Sequence, residues 1–368
     1  MTALAKRVRA LLPMTIPLVV LVGAGCSGES TTSLELQVAS GTPAESRFWP
    51  TPPDVPRYRY VGDLLGEQNI HVDGSENAGG WTKFWMGVWK VITGLGERSL
   101  RPVVLERPQS GATDSQGRIY VTDVSRRAVF VFDAVEGKLR VWEYADAHRR
   151  FVSPISVSID NLGRLMVTDA ELAEIFRFTA DGAPIDHFGE GILKRPTGIA
   201  FDTDEQRIYV ADTEANDIKV FNPDGSLLDV IGYAGDEAGR LNRPVYLAFA
   251  NGKLFVSDGL NARVQVFDRD GRILSVIGQR GLYVGNLTRP KGVAVDSEGH
   301  IYVVEGFYDH LLIFDANGQY LLGIGGTGQR PGEFYLPTGV WTDDNNRIYV
   351  ADMFNGRVSI FQFLGGDQ

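Results

Sequence analysis

Cysteine is nearly absent: Cys26 is the only one in the chain. A lone thiol excludes an intramolecular disulfide framework. Histidine is scarce too, at five residues, His71, His148, His187, His300 and His310. They occupy unlike positions in the chain's repeat and are not expected to converge, as a catalytic zinc site with about three protein ligands requires. A Gly-x-Ser-x-Gly elbow, a phosphate loop and a Cys-x-x-Cys-His haem site are all missing, so no catalytic residue, metal or cofactor is expected. No apolar run approaches the roughly 20 residues that span a bilayer. Positive charge is also short, with 36 Lys and Arg against 46 Asp and Glu, a formal net charge of −10. Such a domain repels phosphate backbones, which argues against nucleic acid as a partner.

What is present is a repeat. Ile119-Tyr120-Val121, Leu165-Met166-Val167, Ile208-Tyr209-Val210, Leu254-Phe255-Val256, Ile301-Tyr302-Val303 and Ile348-Tyr349-Val350 follow one another at steps of 46, 43, 46, 47 and 47 residues. Each of the first five units holds four short runs of β-branched, aliphatic and aromatic residues, such as Val129-Phe130-Val131-Phe132 and Leu311-Leu312-Ile313-Phe314. Turns such as Asn222-Pro223-Asp224-Gly225 and Asp315-Ala316-Asn317-Gly318 separate them, and Asp-Gly and Asn-Gly supply the positive φ of tight hairpins. Even spacing with four strands per unit predicts an all-β fold, a six-bladed β-propeller of four-stranded blades. The acidic stretches Asp202 to Glu205 and Asp343 to Asn346 read as solvated hairpin turns. A calcium loop needs more ligands at set spacing and a glycine at its sharp turn.

The sixth unit has only three strands, ending at Val358-Ser359-Ile360-Phe361. Tyr58 to Leu65 has the look of a fourth strand, so it is predicted to pair with the last blade and close the ring. Closure removes open sheet edges.

Arg195-Pro196-Thr197-Gly198-Ile199-Ala200-Phe201-Asp202, Ile208-Tyr209-Val210-Ala211-Asp212 and Val220-Phe221-Asn222-Pro223-Asp224-Gly225 resemble NHL repeats. The resemblance is strong in units three to six and weaker in one and two. In such repeats the loop after the second strand often reads Asp-Thr-Gly-Asn-Asn-Arg. Two loops here match in part, at Asp258 to Arg263 and Asp352 to Arg357, and four depart from it. If that loop is the binding face, the expected contact residues are Arg126, Arg127, Glu171, Glu214, Asn216, Asn261, Phe307, Tyr308, His310, Phe354 and Asn355. Phe307, Tyr308 and Phe354 come from neighbouring blades and suit an aromatic anchor, since large rigid side chains dominate binding surfaces. Packing within the loops is the alternative. By resemblance, related propellers place Glu, Asn and Asp on a central metal, or His near the axis. Glu305, where the other five units carry Asp, is the one hint of such a site, and a conservative swap at a structural turn is the much stronger reading of it.

The N-terminus reads as an export signal: Lys6, Arg7 and Arg9, an apolar run from Leu11 to Val22, then Gly23-Ala24-Gly25-Cys26. The last four residues resemble a bacterial lipobox, which implies lipid attachment at Cys26. Gly23 departs from the usual Leu, so cleavage by ordinary signal peptidase stays open. Residues 1–25 are then a signal peptide, 26–57 a Pro-rich tether, and 58–368 the propeller. Removing Lys6, Arg7 and Arg9 leaves 33 basic residues against the 46 acidic ones, a charge of −13. Ser27 is not Asp, which by resemblance favours the outer membrane or cell surface. Within an insert at 67–106, Trp81, Phe84, Trp85, Val88, Trp89 and Ile92 fall on one face of a short amphipathic helix at about 80–93. Its aromatic face, Trp81, Trp85 and Trp89 included, suits packing on the ring, a membrane interface or a partner. The expectation is a monomeric, membrane-tethered propeller of the bacterial envelope, acting as a scaffold for another envelope protein or a small ligand. The alternative is a metal-dependent hydrolase or lyase with its site at the propeller axis.

Overall fold

The computed structural model describes residues 32–37, 48–72 and 102–365. Six antiparallel sheets are arranged as blades around one axis. Strands are lettered a to d outward from that axis. The six a strands are Pro108–Thr113, Pro154–Ile159, Pro196–Asp202, Pro244–Ala250, Pro290–Val295 and Pro337–Thr342, in blades 1 to 6. Each begins with proline, which fits the first residue of a strand because no ladder donor is needed there. The triplets that carry the sequence repeat lie on the b strands, such as Arg207–Asp212 in blade 3.

Ring closure follows the sequence expectation. Tyr58–Leu64 pairs antiparallel with Arg357–Phe363, from Tyr58 against Phe363 to Leu64 against Val358, and supplies strand d of blade 6. A buried clasp holds the joint: Arg357 donates to Asp63 Oδ2 at 3.0 Å and to Asp352 Oδ2 at 2.8 Å, and Ser359 Oγ donates to Asp63 Oδ1 at 2.8 Å. Burial pushes the Asp63 carboxyl above its ordinary range even though Arg357 opposes the shift.

Two stretches of the segment read as a tether are strands instead. Phe48–Trp49 adds a fifth strand to blade 6 by pairing with Arg59 and Tyr58, and Trp49 packs edge-on against Phe361 at 5.6 Å. Thr32–Leu34 pairs with Ile70–Val72. Their apolar residues explain the difference: Leu34, Leu36 and Trp49 pack on propeller core clusters. The signal segment, Cys26 and the predicted helix with Trp81, Trp85 and Trp89 lie outside the described residues.

The core is not central. It is divided into six apolar clusters, one in each interface between neighbouring blades. Between blades 5 and 6, Tyr58, Tyr60, Tyr302, Ile313, Phe334 and Phe361 are buried together. No blade covers both of its faces alone, so removal of one interface exposes two.

Candidate functional site: the loop face and the axis

Up-and-down strand order puts the b–c and d–a loops on one face of the ring and the a–b and c–d hairpins on the other. The two are called the loop face and the hairpin face. The loop face is organised by the six carboxylates that end the b strands: Asp123, Asp169, Asp212, Asp258, Glu305 and Asp352, all essentially buried. Asp123 accepts the amides of Glu106 and Arg107 at 2.7 and 2.9 Å, and those of Ser125 and Arg126 at 2.9 Å each. One carboxylate thus ties a b–c loop to the incoming d–a loop. Glu305 does the same, accepting from Thr288 and Arg289 at 2.6 and 2.9 Å and from Phe307 at 2.9 Å. Its carboxylate is a loop anchor, which accounts for the swap at that position. A hydrogen bond to a charged group contributes about 1.5–3 kcal/mol, so these ties set the loops firmly.

The expected contact residues separate into two groups. Asn261 donates to Gly235 O at 2.9 Å and Asn355 to Gly328 O at 2.8 Å. Asn216 accepts the Arg243 amide at 2.9 Å. Arg126 pairs with Glu106 at 3.1 Å and Glu171 with Arg195 at 2.7 Å. His310 Nδ1 donates to Tyr308 O at 2.5 Å. These six brace the loops. Arg127 and Glu214 point outward with no ion pair among the described residues. Phe307 is 58% and Phe354 44% exposed. The three aromatics do not form one described cluster. Phe307 packs edge-on against Tyr308 at 4.8 Å, and Phe354 packs against Tyr335 at 5.3 Å. Arg107 lies over the Phe354 ring at 5.3 Å.

The d–a loops add residues that the b–c loops alone do not reveal. Tyr335 is 48% and Tyr283 83% exposed, beside exposed Leu282 and Val284. The available signal was an apolar triplet, Leu282-Tyr283-Val284, inside a Gly-rich turn. On the same face Arg149 grips the buried Glu174 at 2.7 and 3.1 Å, and His187 Nδ1 meets Glu174 Oε2 at 2.6 Å. Burial opposes ionisation of Asp146 in this network, but the His148 amide and Arg149 hold its carboxyl down to about 2.

The axis differs in kind. A cavity of about 200 Å³ is walled by all six a strands, with Ser156, Ala200, Phe249, Val293, Trp341 and Thr342 among its lining. No ionisable carboxylate, imidazole, amine or guanidinium lines it. At the loop-face end the ring is tight. A Cβ on Gly198 would meet Tyr246 Cα at 2.7 Å, and one on Gly339 would meet Gln109 O at 2.4 Å. Tyr246 crosses from blade 4 to the opposite blade 1 and donates its hydroxyl to Gln109 O at 3.0 Å. Thr338 Oγ1 donates to the same oxygen at 3.0 Å. The tyrosine bars the axis at this level and separates the cavity from the loop-face mouth. The histidines are dispersed over outer strands, loops and a hairpin. Among the described residues no group of three or more His, Cys, Asp or Glu is placed to hold a metal.

The 6-bladed beta-propeller family matches residues 293–367, and the NHL repeat family matches residues 193–221. No curated protein matches the chain in sequence. Solved structures with similar folds include virginiamycin B lyase from Staphylococcus aureus (13% identity, 70% of this chain and 95% of that one, TM-score 0.51). A gluconolactonase from Xanthomonas campestris is similar at 18% identity over 70% of this chain and 86% of that one, with a TM-score of 0.54. An auxiliary nutrient binding protein from Bacteroides ovatus is similar at 14% identity over 70% and 69%, with a TM-score of 0.55. Identities this low carry the fold alone. With its repeats, closed ring and family matches, the chain is an NHL-repeat six-bladed β-propeller.

Proposed function

We propose that the protein is a binding scaffold of the bacterial envelope, exported, tethered through an acylated Cys26, and using its loop face to hold another envelope protein or a ligand. The observation that carries the reading is the exposure of Phe307, Tyr335, Phe354 and Tyr283 on loops that are otherwise tightly anchored. Exposed aromatics on a rigid frame lose little conformational entropy on binding and suit interface centres. A hydrolase or lyase with a metal at the axis finds less support, because the axial lining offers no carboxylate or imidazole. The similar folds include two named as enzymes and one as a binding protein, so the fold hosts both.

The test is cross-linking of the tagged full-length protein in its own cells, followed by purification and mass spectrometry. A stoichiometric envelope partner is expected with the wild type, and its loss with the triple variant Phe307→Ala, Tyr335→Ala, Phe354→Ala. Equal capture by both proteins would remove the aromatic surface from the reading.

A further inference from the structure

The mouth of the axis on the loop face carries a second feature, independent of the aromatic surface. The second residue of each a strand lies there: Gln109, Ile155, Thr197, Val245, Lys291 and Thr338. Five are uncharged, and Lys291 is the exception. Its side chain packs across Gly306, where a Cβ would come within 3.1 Å of Lys291 Cγ. The ammonium has no carboxylate or hydrogen-bond acceptor among the described residues. Glu305, which pairs with the adjacent Pro290 in the ladder, is taken up by three backbone amides.

Arginine stands just before the proline of four a strands, at Arg107, Arg195, Arg243 and Arg289. Arg195 is neutralised by Glu171. Arg243 and Arg289 have no ion pair among the described residues. Their places are nonetheless fixed through the backbone, Arg243 by Asn216 and Arg289 by Glu305. Burial, and then the charge of Arg289, push Lys291 below the ordinary lysine range. Three cations from adjacent blades thus stand unneutralised on a protein that is acidic overall. Arg243 and Arg289 are exposed, while Lys291 is half-buried, and a half-buried charge is costly unless paired. The group that relieves this cost is an anion.

We propose that this mouth is an oxyanion site, in which Lys291, with Arg289 and Arg243 of the neighbouring d–a loops, holds the carboxylate or phosphate group of a ligand. The arginine forks suit a planar or tetrahedral oxyanion and the lysine acts as a point charge. The site rests on the reading that the loop face binds, but not on the aromatic residues used to test that reading.

The experiment uses the full-length lipoprotein in detergent, titrated calorimetrically with inorganic phosphate and, separately, with succinate at low ionic strength. Amine-selective acylation followed by peptide mass spectrometry then locates the anion. Saturable binding of at least one probe is expected, with acylation of Lys291 slowed about tenfold by the bound probe. Lys291→Thr, the residue that blades 3 and 6 carry there, should weaken binding about tenfold or more, a change of about 1.4 kcal/mol per decade. Arg272→Gln, an exposed cation in a c–d turn of the hairpin face, should leave it within about twofold. Phosphate alone binding points to a phosphorylated ligand, and succinate alone to a carboxylate; either supports the site. No saturable binding, or equal loss in the Arg272 variant, would overturn it. Loss of the partner in the aromatic variant with anion binding retained separates the two readings.

Discussion

The two faces of the ring are built from the same chain by different means. On the hairpin face most acids serve their own turn. Asp268 accepts the amides of Asp270 and Arg272 at 3.0 and 2.8 Å, and Asp315 those of Asn317 and Gln319 at 2.9 and 2.7 Å. A few arginines bridge neighbouring turns, as Arg269 does to Asp202 at 2.8 Å. On the loop face the acids are buried and reach amides some 16 or 17 residues away, as Asp123 and Glu305 do. Local capping completes one face and leaves it acidic. Long-range anchoring frees the surface of the other, where aromatics and unpaired cations remain available for a partner.

The sharpest way to break this contrast is to remove a long-range anchor. Arg357→Ala strips the closure clasp and leaves Asp63 and Asp352 buried without their cation. A loss of about 3–5 kcal/mol is expected, read as a fall in the denaturant midpoint. Asp268→Ala, on the hairpin face, should cost only about 1 kcal/mol, since its turn is solvated and can be capped by water. Similar losses in the two variants would erase the distinction.

The triple aromatic variant of the loop face should shift stability by less than about 0.5 kcal/mol per site, as exposed substitutions do. A large loss would mean that Phe307, Tyr335 and Phe354 serve packing.

The smallest effect belongs to a titration on the hairpin face. His300 meets Asp296 Oδ2 at 2.9 Å through Nδ1. The hydrogen bond to Asp296, partly countered by burial, raises the imidazole above its ordinary value. Burial opposes ionisation of Asp296, yet hydrogen bonds from His300 and Tyr302 hold it below its own. A raised histidine contributes its full stabilisation below about pH 6.5 and loses it as pH rises through the folded value. A depressed carboxylate contributes above about pH 3.9 and loses it as pH falls through the folded value. Wild type should therefore exceed His300→Gln in melting temperature most clearly between these limits, with the gap closing above neutrality. A gap that does not change with pH would mean His300 acts by packing on Phe363 alone, whose ring lies 4.9 Å away.

Much of the architecture is legible in the sequence, because a repeat states its constraints several times over. The Ile-Tyr-Val spacing locates every b strand, and the missing fourth strand of the last unit points to Tyr58–Leu64. Phe48–Trp49 and Thr32–Leu34 are less legible. They are two and three residues long, below the length at which alternation can be recognised, and prolines dominate the stretch between Trp49 and Tyr58. The loop-face residues are legible as exposed or unusual but not as partners. Asn261 and Asn355 have the look of contact residues and are braces, while Tyr335 and Tyr283 sit in d–a loops whose varied length hides them from the repeat pattern.

The sequence by itself determined the blade count, the turn chemistry and the closure. Each depends on periodicity and local backbone preference, which a chain carries residue by residue. Tertiary structure decided the rest. Only the closed ring brings Tyr246 within reach of Gln109, 137 positions away. Only the folded loops reveal which charges find opposite partners. Asp123 and Glu305 are consumed by amides, whereas Lys291 and Arg289 are left without counter-charge among the described residues. Whether a charge is neutralised depends on distance in space, and that is set by packing.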